Sequence, residues 1–334
     1  MVLNSKSVLD EQELKKQYPD IYNQLIPLLR RNPPDQLNAY LETVCCNVGI
    51  DNTRTQAHCH FITLDGNKRP RVEDFARFIA YKIVDFAIPR SEINRAIKEQ
   101  DDTGSTSPIS RLNSKARNLC SSLPKSGEGG EVLLSILAET FLRLPQMFTK
   151  MILKTSSEMH VHGSDGIHVG INKANGNLAL YWGESKLHAD AAGAIRDCFA
   201  SIAPFLCNVG GSNSAQERDL QLMRDGIDLD NSELEDAIKH YLNPDDPMRN
   251  QLEYRGLCLV GFDSDAYPTE SNSKEMEKVK QDITSAFNER KAHIQKRVIE
   301  EKIHSFDIQL FCLPFPSVDV FRRAFRSELG LDNE

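Results

Sequence analysis

Apolar residues in this chain recur mostly at helical spacing, with alternating runs between the helical stretches. Over 10–31, Leu14, Tyr18, Tyr22, Leu25 and Leu29 fall on one helical face. Pro19 and Pro27 interrupt that face, which favours two short helices over one, and Asn32-Pro33-Pro34 ends it. Asp35 then reads as the N-cap of a helix running to Val48. His58 to Leu64 reads as a short strand before the turn Asp65-Gly66-Asn67. Phe75, Phe78, Ile79 and Ile83 share a face of a helix over 72–86, and Pro89 leads a shorter helix to Lys98. Residues 99–110 are polar and rich in breakers, as a linker would be. Beyond them the pattern predicts a helix over 131–144, a strand over 150–155, a hairpin over 162–186 and an apolar helix over 189–207. Two amphipathic helices follow around 215–223 and 232–241, then a buried strand over 255–263. A long charged helix over 274–302, a strand over 304–313 and a helix over 318–328 close the chain.

The hairpin carries the chemistry. Its two runs are joined by Ala174-Asn175-Gly176-Asn177. Asn-Gly suits a type I′ turn, which needs positive φ at both central residues. With Asn175 and Gly176 as the loop, Asp165 stands opposite Lys186 and Ile167 opposite Glu184. Facing residues, and residues two apart, point to one side of a sheet. Asp165, Glu184 and Lys186 are therefore expected on one face at the hairpin's open end, the two acids roughly 7–8 Å apart between backbones along the diagonal and their carboxylates closer, about 3–6 Å, within reach of one cation. Two carboxylates so placed suit one hard divalent cation. A one-residue slip would break the arrangement.

From Glu131 onward the order is helix, three strands, helix, strand, helix, strand, which fits a mixed α/β sheet flanked by helices on both sides. This succession, with an acid opening one strand and Glu184-Ser185-Lys186 on the next, resembles the restriction-endonuclease-like nucleases. The resemblance implies that Asp165 and Glu184 hold Mg²⁺, with Mn²⁺ able to substitute, and that Lys186 orients water or neutralises charge on phosphorus. Glu131, in the first turn of the preceding helix, matches an additional acidic ligand. The expected organisation is a mostly helical N-terminal region over 1–115, for partner docking or regulation, and a restriction-endonuclease-like nuclease domain over 116–334.

Each of these residues also has a plainer reading. Leu178, Leu180 and Trp182 precede Glu184 on its face, as where any strand leaves a core, and Asp165 with Lys186 could be a solvated cross-strand pair. Glu131 sits where the helix macrodipole favours any acid. His58-x-His60 and His160-x-His162 could each offer two imidazoles to zinc, but neither has further ligands at motif spacing. Asp228-Leu229-Asp230-Asn231 resembles the start of a calcium loop without its glycine or closing glutamate, and reads as a helix cap. Lys291, Lys296 and Arg297 form a basic patch diluted by Glu300 and Glu301.

Composition narrows the field. The chain has 334 residues, 40% hydrophobic and 26% charged, ordinary for a globular protein with ample core. No apolar run approaches the roughly 18 residues of a membrane span. The first residues lack the apolar stretch of a signal peptide, so a cytoplasmic location without membrane association is expected. Eight cysteines with no C-x-x-C pair read as reduced, mostly buried thiols. The formal net charge is −8, whereas free-standing nucleic-acid binders are usually basic, so contact with DNA must come from a local patch or a partner.

A wider resemblance rests on Val161-His162-Gly163-Ser164-Asp165-Gly166-Ile167-His168 with Gly183-Glu184-Ser185-Lys186-Leu187. It extends to Gly130-Glu131-Val132-Leu133-Leu134, Met151-Ile152-Leu153-Lys154-Thr155-Ser156 and Asp85-Phe86-Ala87-Ile88-Pro89-Arg90-Ser91-Glu92. With these the chain resembles the HamA family, the nuclease subunits of the bacterial Hachiman anti-phage defence system. The resemblance implies a superfamily-2 helicase partner, HamB, that hydrolyses ATP and restrains the nuclease until it meets aberrant DNA. DNA is then degraded with little sequence preference. No G-x-x-x-x-G-K-[ST] motif occurs here, so ATP chemistry belongs to another chain. The expected function is a Mg²⁺-dependent DNA nuclease; the alternative is a non-enzymatic scaffold subunit of the same complex. The acidic segment 225–246 and the N-terminal helices are the expected docking surfaces for the helicase.

Overall fold

Four parallel strands form the centre of the fold. The structure is a computed structural model and describes residues 19–29, 34–121, 127–154, 163–207, 211 and 214–331. Its N-terminal part holds helices α1 (Pro19–Leu25) and α2 (Pro34–Asn38), strands β1 (Leu41–Gly49) and β2 (Thr55–Ile62), and helices α3 (Val72–Ala80), α4 (Ile83–Ala87), α5 (Arg90–Thr103) and α6 (Ser107–Asn118). Then come α7 (Glu128–Leu137), β3 (Gln146–Phe148), β4 (Gly166–Ile171), β5 (Leu178–His188), α8 (Ala191–Cys207), α9 (Ala215–Gly226) and α10 (Ser232–Leu242). β6 (Leu252–Asp263), α11 (Met276–Glu300), β7 (Ile308–Phe315) and α12 (Val318–Glu328) complete the chain.

One seven-stranded sheet runs β1-β2-β7-β6-β5-β4-β3. β2, β7, β6 and β5 are parallel, while β1, β4 and β3 pair antiparallel at the two ends. The parallel centre is covered on both sides, which explains why the later parts of β6 (257–262) and β7 (310–315) are continuous apolar runs rather than alternating ones. On one side α7 packs so closely that a Cβ on Gly130 would lie 3.1 Å from Ser185 Oγ and 3.2 Å from Leu187. α12 lies behind it, Phe321 and Phe325 against Gly129. On the other side Trp182 stacks on Phe205 of α8, with ring centroids 5.3 Å apart. α11 adds a buried stripe of Val279, Ile283, Phe287, Ile294 and Val298.

The α/β class and the flanked mixed sheet agree with the sequence pattern, and several elements differ. The helix expected from Asp35 to Val48 is the short α2 followed by strand β1. The helix over 72–86 breaks between Ala80 and Ile83. The linker expected over 99–110 is the corner of a helical hairpin, where Gly104 ends α5 in the left-handed region (φ 71°) before α6 begins. The strand expected over 150–155 is a 3₁₀ turn, Lys150–Leu153, and the strand lies earlier, at β3. β1 and β2 belong to the same sheet as the hairpin, so the sheet runs across the division expected at 115/116.

Candidate active site

The hairpin forms with a register two residues away from the expected one. Gly166 pairs with Gly183, Ile167 with Trp182 and Ile171 with Leu178. The loop is longer than a type I′ turn. Asn172 N–H donates to Asn177 O at 2.8 Å, and the carbonyl of Asn172 accepts from Gly176 N–H at 2.8 Å. Gly176 alone takes positive φ, 77°. Asp165 therefore does not face Lys186, nor Ile167 Glu184, and the ladder ends at Gly166 and Gly183. A second departure occurs at the open end. Asp165 N–H donates to Gly183 O at 3.0 Å, although Gly183 already pairs with Gly166. Two residues against one is the signature of a β-bulge, which re-aims side chains at a strand end.

The bulge changes which neighbour Asp165 meets. Alternation along β5 turns Trp182 and Glu184 towards α8 and Ser185 towards α7. Asp165 is fastened to Ser185, whose N–H (2.8 Å) and Oγ (2.9 Å) both donate to Asp165 Oδ2. The other oxygen, Oδ1, takes Lys150 Nζ at 2.7 Å, and the same ammonium lies 3.1 Å from Glu131 Oε1. Glu184 is paired with Lys186. The expected sharing of one face by Asp165, Glu184 and Lys186 thus becomes two linked groups at the end of β5. One is Asp165, Lys150 and Glu131; the other is Glu184 and Lys186.

All three acids are buried, Glu131 at 7%, Asp165 at 7% and Glu184 at 5% exposure. Lys186 reaches out, with 27% of its side chain exposed. Burial, and then the charge of Asp165, push the Glu131 carboxyl up to about 8 and that of Glu184 up to about 7. Asp165 itself is lowered: desolvation opposes that, and Lys150, Lys186 and the Ser185 N–H outweigh it. Three carboxylates thus share two ammonium groups, and Glu131 Oε2 is buried without a hydrogen-bond partner. An all-oxygen donor set whose raised carboxyls gain a counter-charge when a cation arrives suits a hard divalent cation. Among the described residues, no three His, Cys, Asp or Glu side chains are already gathered as a metal cage.

Neighbouring residues hold this arrangement. Glu128, one turn before Glu131, accepts from Ser121 N–H at 3.0 Å and lies 3.4 Å from Lys154 Nζ. Asp219 of α9 is buried and accepts from Ser164 N–H at 2.9 Å. A Cβ on Gly163 would come within 3.0 Å of both Asp219 oxygens, so only glycine lets the chain pass there unstrained. Lys150, Ser185 and Asp219 carry no local sequence signal. Only the middle position of Glu-x-Lys, offering a hydroxyl beside the acids, could have pointed to Ser185.

The other candidates resolve without a site. His58 bonds Gln309 at 2.8 Å and His60 bonds Thr43 at 3.1 Å. Burial lowers the pKa of both rings. His160 and His162 lie outside the described residues. Asn231 caps α10 by accepting from Leu234 N–H, the role read for that acidic run. Lys296 and Arg297 both pair with Glu300. No described helix is long and apolar enough to cross a membrane.

Comparison with known proteins adds one match: the HamA family model covers residues 38–329. A search of the curated proteins returned none that matches.

Proposed function

The chain belongs to the HamA family, components of Hachiman defence, and from that premise we propose that it is a metal-dependent DNA nuclease with its site at the end of β5. The observation that carries the reading is the surplus of buried carboxylate at that end: Glu131, Asp165 and Glu184 against Lys150 and Lys186. Asp165 and Glu184, with Glu131 assisting, would hold Mg²⁺ or Mn²⁺. When bound, such a cation supplies charge neutralisation at the phosphate and activation of water.

The chain's own groups do the rest. Ser185 fixes the Asp165 carboxylate with two hydrogen bonds, so the acid does not have to reorganise when phosphate arrives. Lys186 is anchored by Glu184 yet partly exposed, so its ammonium can meet a phosphate oxygen and steady the water that attacks phosphorus. Burial and the charge of Asp165 disfavour the bare Glu184 carboxylate, so it gains most from the positive charge that a divalent cation would supply. The net charge of −8 works against a polyanion, and phosphate affinity normally comes from Lys and Arg. We therefore read the chain as acting with a helicase, HamB, that delivers DNA to it, inside the cytoplasm.

The test is loss of plasmid DNA on incubation with the purified protein, alone and with its helicase. Loss that requires Mg²⁺, stops with EDTA and disappears in Glu184→Gln supports the nuclease. Intact plasmid in every condition with the helicase present favours the alternative, a scaffold subunit whose charged strand end docks a partner.

A further inference from the structure

Lys150 lies between two of the acids assigned to the cation. Its Nζ is 2.7 Å from Asp165 Oδ1 and 3.1 Å from Glu131 Oε1, with 19% of the side chain exposed. It opens the 3₁₀ turn Lys150–Leu153, where Thr149 caps by accepting from Met151 N–H. Asp165 Oδ2 is already committed to two donors from Ser185. Oδ1 is therefore the oxygen that a cation would need, and it is the one Lys150 occupies.

We propose that Lys150 is an internal counter-ion which holds the place between Asp165 and Glu131 and competes with the divalent cation for it. The inference rests on the nuclease reading, in which those two acids are cation ligands. A Mg²⁺–oxygen bond is about 2.0–2.1 Å long and the ion keeps a strict octahedral shell. An ammonium at hydrogen-bond distance from the same oxygen intrudes on that shell and repels the ion. Entry of the cation thus displaces Nζ, which the flexible four-carbon stem permits. Lys154, three residues past Met151 and facing Glu128 at 3.4 Å and Leu119 O at 3.4 Å, keeps the turn anchored while Lys150 moves. Without the cation the lysine keeps two buried carboxylates from repelling one another; with the cation it is free to face an incoming phosphate. Lys150 then sets the cation concentration at which the site becomes competent.

The experiment uses the full chain without DNA and reads Mn²⁺ binding by calorimetry and thermal melting with and without Mn²⁺. Lys150→Gln should bind Mn²⁺ at least tenfold more tightly than the wild type. It should melt lower in EDTA and recover most of that deficit when Mn²⁺ is added, while Lys150→Arg behaves like the wild type. A Lys150→Gln protein with unchanged or weaker Mn²⁺ affinity, or with a deficit that Mn²⁺ leaves in place, overturns the proposal. Should the variant fail to fold, lysine acetylation of the wild type gives the same answer by mass spectrometry. Labelling of Lys150 should rise on adding Mn²⁺ while that of Lys154 does not, and unchanged labelling overturns it. A wild type that binds no Mn²⁺ overturns the cation reading of the site together with this inference. A wild type that binds Mn²⁺ while Lys150→Gln matches it removes only the competition.

Discussion

Ser185 gives both its donors to one oxygen of Asp165, the N–H at 2.8 Å and the Oγ–H at 2.9 Å. Ser185 is the middle residue of Glu184-Ser185-Lys186, so the strand that carries the second acid also orients the first. Ser185→Ala removes one of the two bonds and leaves the other. Hydrogen bonds to charged groups are worth roughly 1.5–3 kcal/mol. DNA cleavage should fall about ten- to a hundredfold while Ser185→Thr keeps most of it. Single-turnover rates at saturating Mg²⁺ check this.

Glu184→Gln should separate activity from stability. Burial and the charge of Asp165 disfavour the Glu184 carboxylate, so an amide of the same shape should leave the melting temperature level or raise it. Cleavage should drop about 100- to 1,000-fold, the scale for losing one transition-state electrostatic contact. Lys186→Ala should lose activity to a similar extent. Melting curves and plasmid assays on the same preparations decide the matter, and full cleavage by both variants would move the site elsewhere.

Asp219 should matter through Asp165. Asp219→Ala leaves the buried Ser164 N–H without its acceptor, a cost of about 1–3 kcal/mol. Asp219→Asn keeps an acceptor oxygen and should lose less. Gly163→Ala places a methyl 3.0 Å from both carboxylate oxygens and should destabilise the protein comparably. Chemical denaturation gives the free energies. A cleavage rate that tracks them across the three variants would mark a link from Asp219 to Asp165.

The histidines predict an acid limb. Burial lowers His60 to about 4 and His168 to about 3. Their folded values lie below the unfolded value near 6.5, so the folded protein holds them neutral while the unfolded chain takes up protons. The stability they leave intact at pH 7 is lost as pH falls through 6.5, down to about 4 for His60. Each contributes a slope of about 1.4 kcal/mol per pH unit in that window. Urea denaturation at pH 7.5, 6 and 5 should show a shallower decline in His60→Phe, whose ring keeps the stacking on Phe141 at 4.3 Å. An unchanged slope would mean that His60 takes up its proton in the fold as readily as in the unfolded chain.

The fold class and the hairpin were legible in the sequence because burial imposes a period that residues display directly. The register was not. Asn172, Asn175 and Asn177 all donate to the carboxylate of Glu253 on β6, and that tertiary anchor holds a longer loop than Asn-Gly alone prefers. β1 was misread for a related reason. Leu41, Val44, Cys45 and Val48 fall at helical spacing because the strand shifts register between Thr43 and Cys45 and again between Cys45 and Val48. Asn47 takes φ 53° there. Bulges disguise a strand as a helix. Lys150 escaped because its partners, Glu131 and Asp165, are far away along the chain, and nothing at Lys150 itself distinguishes it from a surface lysine.

The sheet order has a consequence for how the chain is made. β2 ends at Ile62, and its parallel neighbour β7 starts only at Ile308. At roughly 5–20 residues per second of ribosomal synthesis, the β1–β2 hairpin waits on the order of tens of seconds for that neighbour. Asp165, just ahead of β4, and Glu184 on β5 emerge during this interval, well before β7. A nascent chain therefore presents one long unsealed strand, Thr55–Ile62, through most of its translation. That is the interval in which aggregation, or a chaperone, can reach the molecule before the last strand closes it.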